Sequence, residues 1–278
     1  MRIAWLTAAF NEASQEKGDS VISTTRISFS VQIGNEFLFL PTTTMMVPTG
    51  LAERFGYVPE GTTGDQPLVL DAVVEAHRLK FGDAFSRQTC TEYLEIRSGQ
   101  WLTKAFGRPA FYSGFAINGK YAYDKESDYR RSGFTGYSFT EARLSEGDAL
   151  EIYAFEDSNG MDYYLYFLDD GQRIDELSIA AGQPKELLLE GLMFAYGGPM
   201  TDEDRRRHRL VSSVKGAELV YVDVQSGETR PFEGAVTDRD GRVSISFADS
   251  GTYYISSRGG RCRYNTMLAN PWLVVHVS

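Results

Sequence analysis

The side chains best able to do chemistry are few and far apart. Three histidines, His77, His208 and His276, fall at intervals with no ligand spacing between them. A zinc site needs closely and regularly spaced ligands, so no metal centre is expected. The two cysteines, Cys90 and Cys262, give neither a disulfide framework nor a metal knuckle and read as separate thiols. Asp, Glu and Ser are scattered. No Gly-x-Ser-x-Gly elbow, metal-ligand pair or phosphate loop is formed among them. The expectation is a non-enzymatic chain with no catalytic residues, no metal and no cofactor. Asp157, Asn159 and Asp162 resemble part of a calcium loop, but the twelve-residue pattern with its closing Glu is missing. They and the pair Asp238 and Asp240 read better as Asx turns. Arg205, Arg206 and Arg207 stand beside Asp202, Glu203 and Asp204, which makes a self-compensated, solvated loop.

The remaining recognition chemistry is aromatic. Trp101, Phe111, Tyr112, Phe115, Tyr121 and Tyr123 crowd one region of the chain. Aromatic rings offer large apolar contact with a polar tip, which suits a groove for a planar or sugar-like ligand. Trp101, Tyr112, Phe115, Tyr121 and Tyr123 are therefore the candidate ligand-binding residues. Ordinary cross-strand packing competes with this reading. The segment 121–137 mixes Tyr, Arg and Gly as an adaptable binding loop does, and a surface insertion would look the same.

The elements that would position these residues begin with an alternating strand. Ile27, Phe29, Val31 and Ile33 share one face and Ser28, Ser30 and Gln32 the other. Gly34-Asn35 turns it into Glu36–Leu40, and Pro41 is expected to end that hairpin. Pro67 opens one amphipathic helix, with Leu68, Ala72, Val73, Ala76 and Leu79 as its apolar stripe and Gly82 as its C-terminal cap. His77 lies on that helix and is expected to be solvated or partly covered. A strand over Cys90–Ile96 follows, with a turn at Ser98-Gly99. Next come two strands centred on an Asn118-Gly119 turn and on the turn Glu146-Gly147-Asp148. Two hairpins around one helix describe an α+β, β-grasp layer. Asp169-Asp170-Gly171 is read as the domain boundary. Beyond it, short strands separated by turn residues predict an all-β, Ig-like sandwich. The expected domains are a flexible leader over 1–24, a β-grasp unit over 25–172 and an Ig-like unit over 173–278.

The totals exclude some partners. The formal net charge is −10 and the pI about 4.9, which disfavours nucleic acid and anionic membrane surfaces. No stretch reaches the roughly 18 apolar residues of a membrane helix.

Residues 25–170 resemble the β-grasp domain of bacterial surface proteins called DUF4430, a relative of the C-terminal domain of the transcobalamin and intrinsic-factor family. The likeness lies in the helix 69–81, the aromatic strand before Ile117-Asn118-Gly119-Lys120, and Leu144-Ser145-Glu146-Gly147-Asp148. Residues 173–278 resemble bacterial Ig-like domains through three stretches: 237–243, 247–253 and Pro271-Trp272-Leu273-Val274-Val275-His276-Val277. The resemblance implies a bacterial cell-surface or extracellular location and a role in binding or adhesion. A glycan, a protein or a corrinoid would be the ligand. A corrinoid carrier would need a second wall from another chain, because one sheet face cannot enclose so large a molecule. A structural spacer is the third reading.

Overall fold

A computed structural model of the chain describes residues 23–58, 64–97, 101–121, 138–156, 163–193, 206, 210–263 and 268–278. Most of the expected leader, Tyr123, the bulk of the segment 121–137, the Ser98-Gly99 turn, Asp157, Asn159 and Asp162, Arg205, Arg207 and His208 lie outside the described residues.

The first part contains β1 (Thr24–Ile33), β2 (Glu36–Pro48), α1 (Leu51–Arg54), α2 (Val69–Phe81), α3 (Cys90–Tyr93), β3 (Glu95–Arg97), β4 (Trp101–Ala105), β5 (Arg108–Pro109), β6 (Tyr112–Ile117), β7 (Lys120–Tyr121) and β8 (Ala149–Phe155). Five of these strands form one sheet in the order β2-β1-β8-β6-β7. The central pair β1 and β8 is parallel, and both outer pairs are antiparallel hairpins. The Asn118-Gly119 turn joins β6 to β7 with φ of 54° and 66°, the twisted two-residue turn that pairing suggested.

Period-two alternation separates the faces of this sheet. Ile27, Phe29, Val31 and Ile33 of β1 and Leu150, Ile152 and Ala154 of β8 share a core with helix α2. Ser28, Ser30 and Gln32, with Glu151, Tyr153 and Phe155, fall on the opposite face. β3, β4 and β5 make a small separate sheet whose Leu102 and Ala105 pack into the helix-side core.

Four details depart from the expectations. Pro41 does not end the hairpin: β2 runs on to Pro48. It is an edge strand, where a missing N–H costs little, and the pairing slips near Pro41, between Phe29↔Thr43 and Val31↔Phe39. Pro67 lies just before the helix, whose N-cap is Leu68. Leu79 is exposed, while every residue from Val69 to His77 is buried. Cys90–Tyr93 forms a helical turn, leaving only Glu95–Arg97 extended. There the Thr89 hydroxyl bonds Ala84 O at 2.6 Å and accepts from Ser86 N–H at 3.0 Å, and this local bonding wins over strand preference.

Asp71 ties the helix to its surroundings. Its carboxylate accepts from Leu68 N–H at 2.8 Å, Ala52 N–H at 2.7 Å and Gly50 N–H at 3.3 Å. One side chain thus satisfies the starts of α1 and α2 together. Burial pushes its carboxyl up, and the three backbone donors pull the other way.

His77 is not solvated. It is fully buried, with Nδ1–H donating to Val73 O at 2.7 Å and Nε2 accepting from Phe106 N–H at 2.8 Å. Its ring stacks on Phe106 at 3.9 Å, and Phe81 and Phe85 lie nearby. Phe106 sits at φ 53°, so the imidazole holds the turn between β4 and β5 in a left-handed conformation. Burial lowers the pKa of His77 to about 4.

The second part contains β9 (Tyr163–Asp169), β10 (Gln172–Ile174), β11 (Glu176–Ile179), β12 (Lys185–Met193), β13 (Val211–Ser213), β14 (Lys215–Val222), β15 (Thr229–Val236), β16 (Arg242–Ile245), β17 (Gly251–Arg261), β18 (Leu268–Ala269) and β19 (Leu273–Val277). One sheet runs β10-β9-β12-β13, with β16 on β12 and β18 on β9; the other runs β11-β19-β17-β14-β15. Leu165, Phe167, Leu187 and Leu189 from the first face Leu219, Ile255, Leu273 and Val275 from the second across one core. The strand expected over Ile174–Ala180 is divided at Asp175: β10 belongs to one sheet and β11 to the other.

β9 pairs with β10, β12 and β18, and not with the first sheet. The change of sheet therefore falls between Phe155 and Tyr163. The Asp169-Asp170-Gly171 turn is the tip of the β9–β10 hairpin rather than a boundary. Its residues are ordinary hairpin-turn residues, with Asp170 at φ 47° and Gly171 at φ 78°. Cys90 and Cys262 are both free and buried, and burial pushes the Cys262 thiol up to about 12.

Candidate functional site

The helix-free face of the first sheet turns toward the outer face of the sheet that carries β9 and β12. On β9, Tyr163, Leu165 and Phe167 enter the sandwich core, so Tyr164, Tyr166 and Leu168 point the other way. On β12 the same alternation presents Glu190 and Leu192. Two apolar contacts fix the approach. Ala116, Tyr153 and Phe155 meet Tyr164, Leu192 and Ala269. Leu40 and Phe37 meet Val220, Val222 and Trp272, with the Phe37 and Trp272 rings edge-on at 5.8 Å. A polar clamp adds register. Buried Gln32 donates to Leu268 O at 3.4 Å and accepts from Asn270 N–H at 3.1 Å, so its amide pairs with a backbone of the other part. Gly114 lets Tyr153 lie across its strand, since a Cβ there would stand 2.3 Å from Tyr153 Oη.

Between these contacts lies a cleft of about 810 Å³. Ser28, Ser30 and Glu151 line one wall, Tyr164, Tyr166 and Glu190 the other, with Arg173 and Trp272 at the sides. Its polar groups form two chains. Arg173 donates to Tyr164 Oη at 2.9 Å, and the Tyr164 hydroxyl donates to Glu151 Oε1 at 2.7 Å. Arg173 also bonds Gly119 O at 3.1 Å, crossing between the two parts, and lies over the Tyr164 and Tyr166 rings at 5.1 and 5.5 Å. In the second chain Glu190 accepts from Tyr166 Oη at 3.2 Å and pairs with Arg206 at 3.1 Å. Burial between the sheets pushes the Glu151 carboxyl above the usual range, against the pull of Tyr164 and Arg173. Burial likewise raises the Tyr164 phenol.

Of the candidate residues named from sequence, Tyr112 and Phe115 fall on opposite faces of β6. Phe115 is 6% exposed, packs edge-on to Phe139 at 4.9 Å and belongs to the helix-side core. Tyr112 falls three residues earlier on the same strand, hence on the opposite face, and packs with the contact that holds the two parts. Trp101 begins β4 in the small separate sheet, and Tyr121 ends the β6–β7 hairpin. Phe111 is exposed. The cleft is instead lined by Tyr164, Tyr166, Arg173, Glu151 and Trp272. A signal for it exists in the sequence. Tyr163-Tyr164-Leu165-Tyr166-Phe167-Leu168 and Ile152-Tyr153-Ala154-Phe155 do not alternate, and a strand apolar on both faces is covered on both faces.

Among the described residues no group of three or more His, Cys, Asp or Glu could hold a metal ion. His276 lies on β19, where Nε2 faces Glu176 at 2.9 Å. Asp238 is a turn former: its carboxylate accepts from Asp240 N–H at 2.8 Å and Arg242 N–H at 2.9 Å, and these bonds hold its pKa low.

No protein-family model matches the chain, and no curated protein matches it. Among solved structures it is similar to the C-terminal domain of the Streptococcus agalactiae AgI/II polypeptide BspA, at 9% identity and a TM-score of 0.20 over 52% of this chain and 57% of that one. It is also similar to the N-terminal four Ig domains of Dscam1 isoform 1.9, at 7% identity and a TM-score of 0.18 over 60% of this chain and 38% of that one. Likenesses this slight carry no argument about fold or function. No helix among the described residues is long and apolar enough to cross a membrane.

Proposed function

We propose that this chain is a non-catalytic binding module of a bacterial surface protein, and that it holds its ligand in the cleft between a β-grasp unit and an Ig-like sandwich. The β-grasp reading is supported by the sheet order β2-β1-β8-β6-β7, with its parallel centre and a helix laid across one face. The Ig-like reading is supported by two mainly antiparallel sheets enclosing a common core. The surface location rests on the sequence resemblance.

One observation carries the functional reading: the cleft of about 810 Å³ has walls from both units and mixes aromatic faces with polar groups. Small-molecule sites span roughly 300–1,000 Å³ and combine those two features. The second wall comes from the same chain, so no other subunit is required to close over a ligand. The corrinoid alternative would use the same space.

The test is a panel: a glycan array, immobilised extracellular-matrix proteins and cyanocobalamin, each offered to the protein and to its Ser28→Trp variant. Ser28 is exposed on the cleft wall, and an indole there would fill it. The expected result is at least one ligand held by the protein and lost by the variant, with the circular dichroism spectrum unchanged. Equal binding by both would move the site elsewhere. Silence across the panel would favour a spacer, and turnover of a bound compound would overturn the non-catalytic reading.

A further inference from the structure

Resting on the cleft as the binding site, we infer that its ligand is a neutral saccharide, with neighbouring hydroxyls bonded to Glu151 and Ser30 and one sugar face laid against Trp272. Ser30 and Glu151 are register partners on the parallel strands β1 and β8 and so stand side by side on one face. The Ser30 side chain is buried to 5% exposure, lines the cleft, and makes no hydrogen bond to the protein among the described residues. Glu151 accepts from the Tyr164 hydroxyl through one oxygen and lines the cleft. These are a donor-acceptor hydroxyl beside a carboxyl, the arrangement that two adjacent sugar hydroxyls satisfy.

The charges of the lining point the same way. Glu190 is matched by Arg206 at 3.1 Å, and Arg173 is held by Tyr164 and stands 3.6 Å from Asp175. With Lys120 and Glu151 added, the wall carries as many cationic side chains as acidic ones. An anionic ligand would meet Glu151 and Glu190; a cationic one would meet Arg173 and Lys120. An apolar ligand would cut Ser30 and Glu151 off from water with nothing to bond, which is costly. Trp272 and Tyr166 line the cleft, and aromatic rings pack well against the C–H side of a sugar. A site built on hydroxyl bonds rejects analogues that lack them far more strongly than an apolar pocket does.

The experiment is an array of neutral and acidic oligosaccharides, followed by calorimetry of the best neutral binder. Binding of neutral glycans is expected. Glu151→Ala should weaken it at least tenfold and Ser30→Ala several-fold. Glu151→Gln, which keeps an acceptor for Tyr164 and for a sugar hydroxyl, should stay within a few-fold, and an unchanged circular dichroism spectrum of Glu151→Ala shows that its fold is intact. A deoxy analogue lacking one of the paired hydroxyls should bind as poorly as the Glu151→Ala variant binds the parent sugar. No glycan bound, acidic glycans only, or indifference to Glu151→Ala would each overturn the inference. Cyanocobalamin or a matrix protein blocked by Ser28→Trp would keep the cleft and sink the saccharide. A glycan that still binds Ser28→Trp would sink both.

Discussion

Acidification should weaken the first unit through His77. Its ring is neutral in the fold because Nε2 must accept the Phe106 N–H while Nδ1–H serves Val73 O. Protonation at Nε2 would remove the acceptor and bury a charge among three phenyl rings. The folded pKa is about 4 against 6.5 for a free imidazole. A depressed folded pKa gives stability that is complete above pH 6.5 and is lost as pH falls toward 4. Each pH unit within that window is worth about 1.4 kcal/mol, so about 2 kcal/mol goes between pH 7 and pH 5 and about 3 kcal/mol by pH 4. Asp71 and Glu75 on the same helix have carboxyls pushed up by burial, and these act with the opposite sign. The assay is therefore a difference: urea unfolding of the protein and of His77→Gln at pH 7 and at pH 5. The variant should be weaker at pH 7 but should lose about 2 kcal/mol less on acidification. An NMR titration of the ring should show it still neutral at pH 5. Parallel pH dependences in the two proteins, or a ring that titrates near pH 6.5, would show that the buried neutral imidazole does not set the acid sensitivity.

Other perturbations follow from named contacts. Asp71→Ala strands the N–H groups of Leu68, Ala52 and Gly50 and should cost about 3 kcal/mol in urea unfolding. Gln32→Leu leaves Leu268 O and Asn270 N–H buried without partners, a loss of about 2 kcal/mol read by thermal denaturation. It should also speed amide exchange along β18, where the two units are joined. Gly114→Ala drives a methyl into Tyr153 Oη and should destabilise by about 2 kcal/mol, visible as a lowered Tm.

Local chemistry was legible in the sequence where one residue type answers one geometric demand. The Asn118-Gly119 turn, Gly82 as the cap of α2, Gly147 in its turn and the alternation of β1 all stand where their residues put them. Signals that depend on a neighbour far along the chain were harder to read. His77 reads as an unremarkable helix residue until Phe106 arrives from 29 positions away to bond it. Thr89 and Cys90 favour strands, yet the Ser86–Thr89 bonds wind them into a turn. The aromatic candidates depend on the same long-range information. An aromatic crowd in sequence need not be a crowd in space, since the strand period sends Tyr112 and Phe115 to opposite faces. The cleft needs Glu151 from one sheet and Tyr164 from another, and no spacing rule joins residues on different sheets. What did announce it was the loss of alternation in Tyr163–Leu168, a strand with no face left for water.

Emission from Trp272 reports whether a ligand sits in the cleft. The chain has three tryptophans, so Trp5→Phe with Trp101→Phe leaves that indole alone at the side of the cleft. Titration with the best ligand from the panel should shift or quench its fluorescence in a saturable way, with the same midpoint as calorimetry. A ligand that binds by calorimetry and leaves Trp272 emission unchanged would place the binding site outside the cleft.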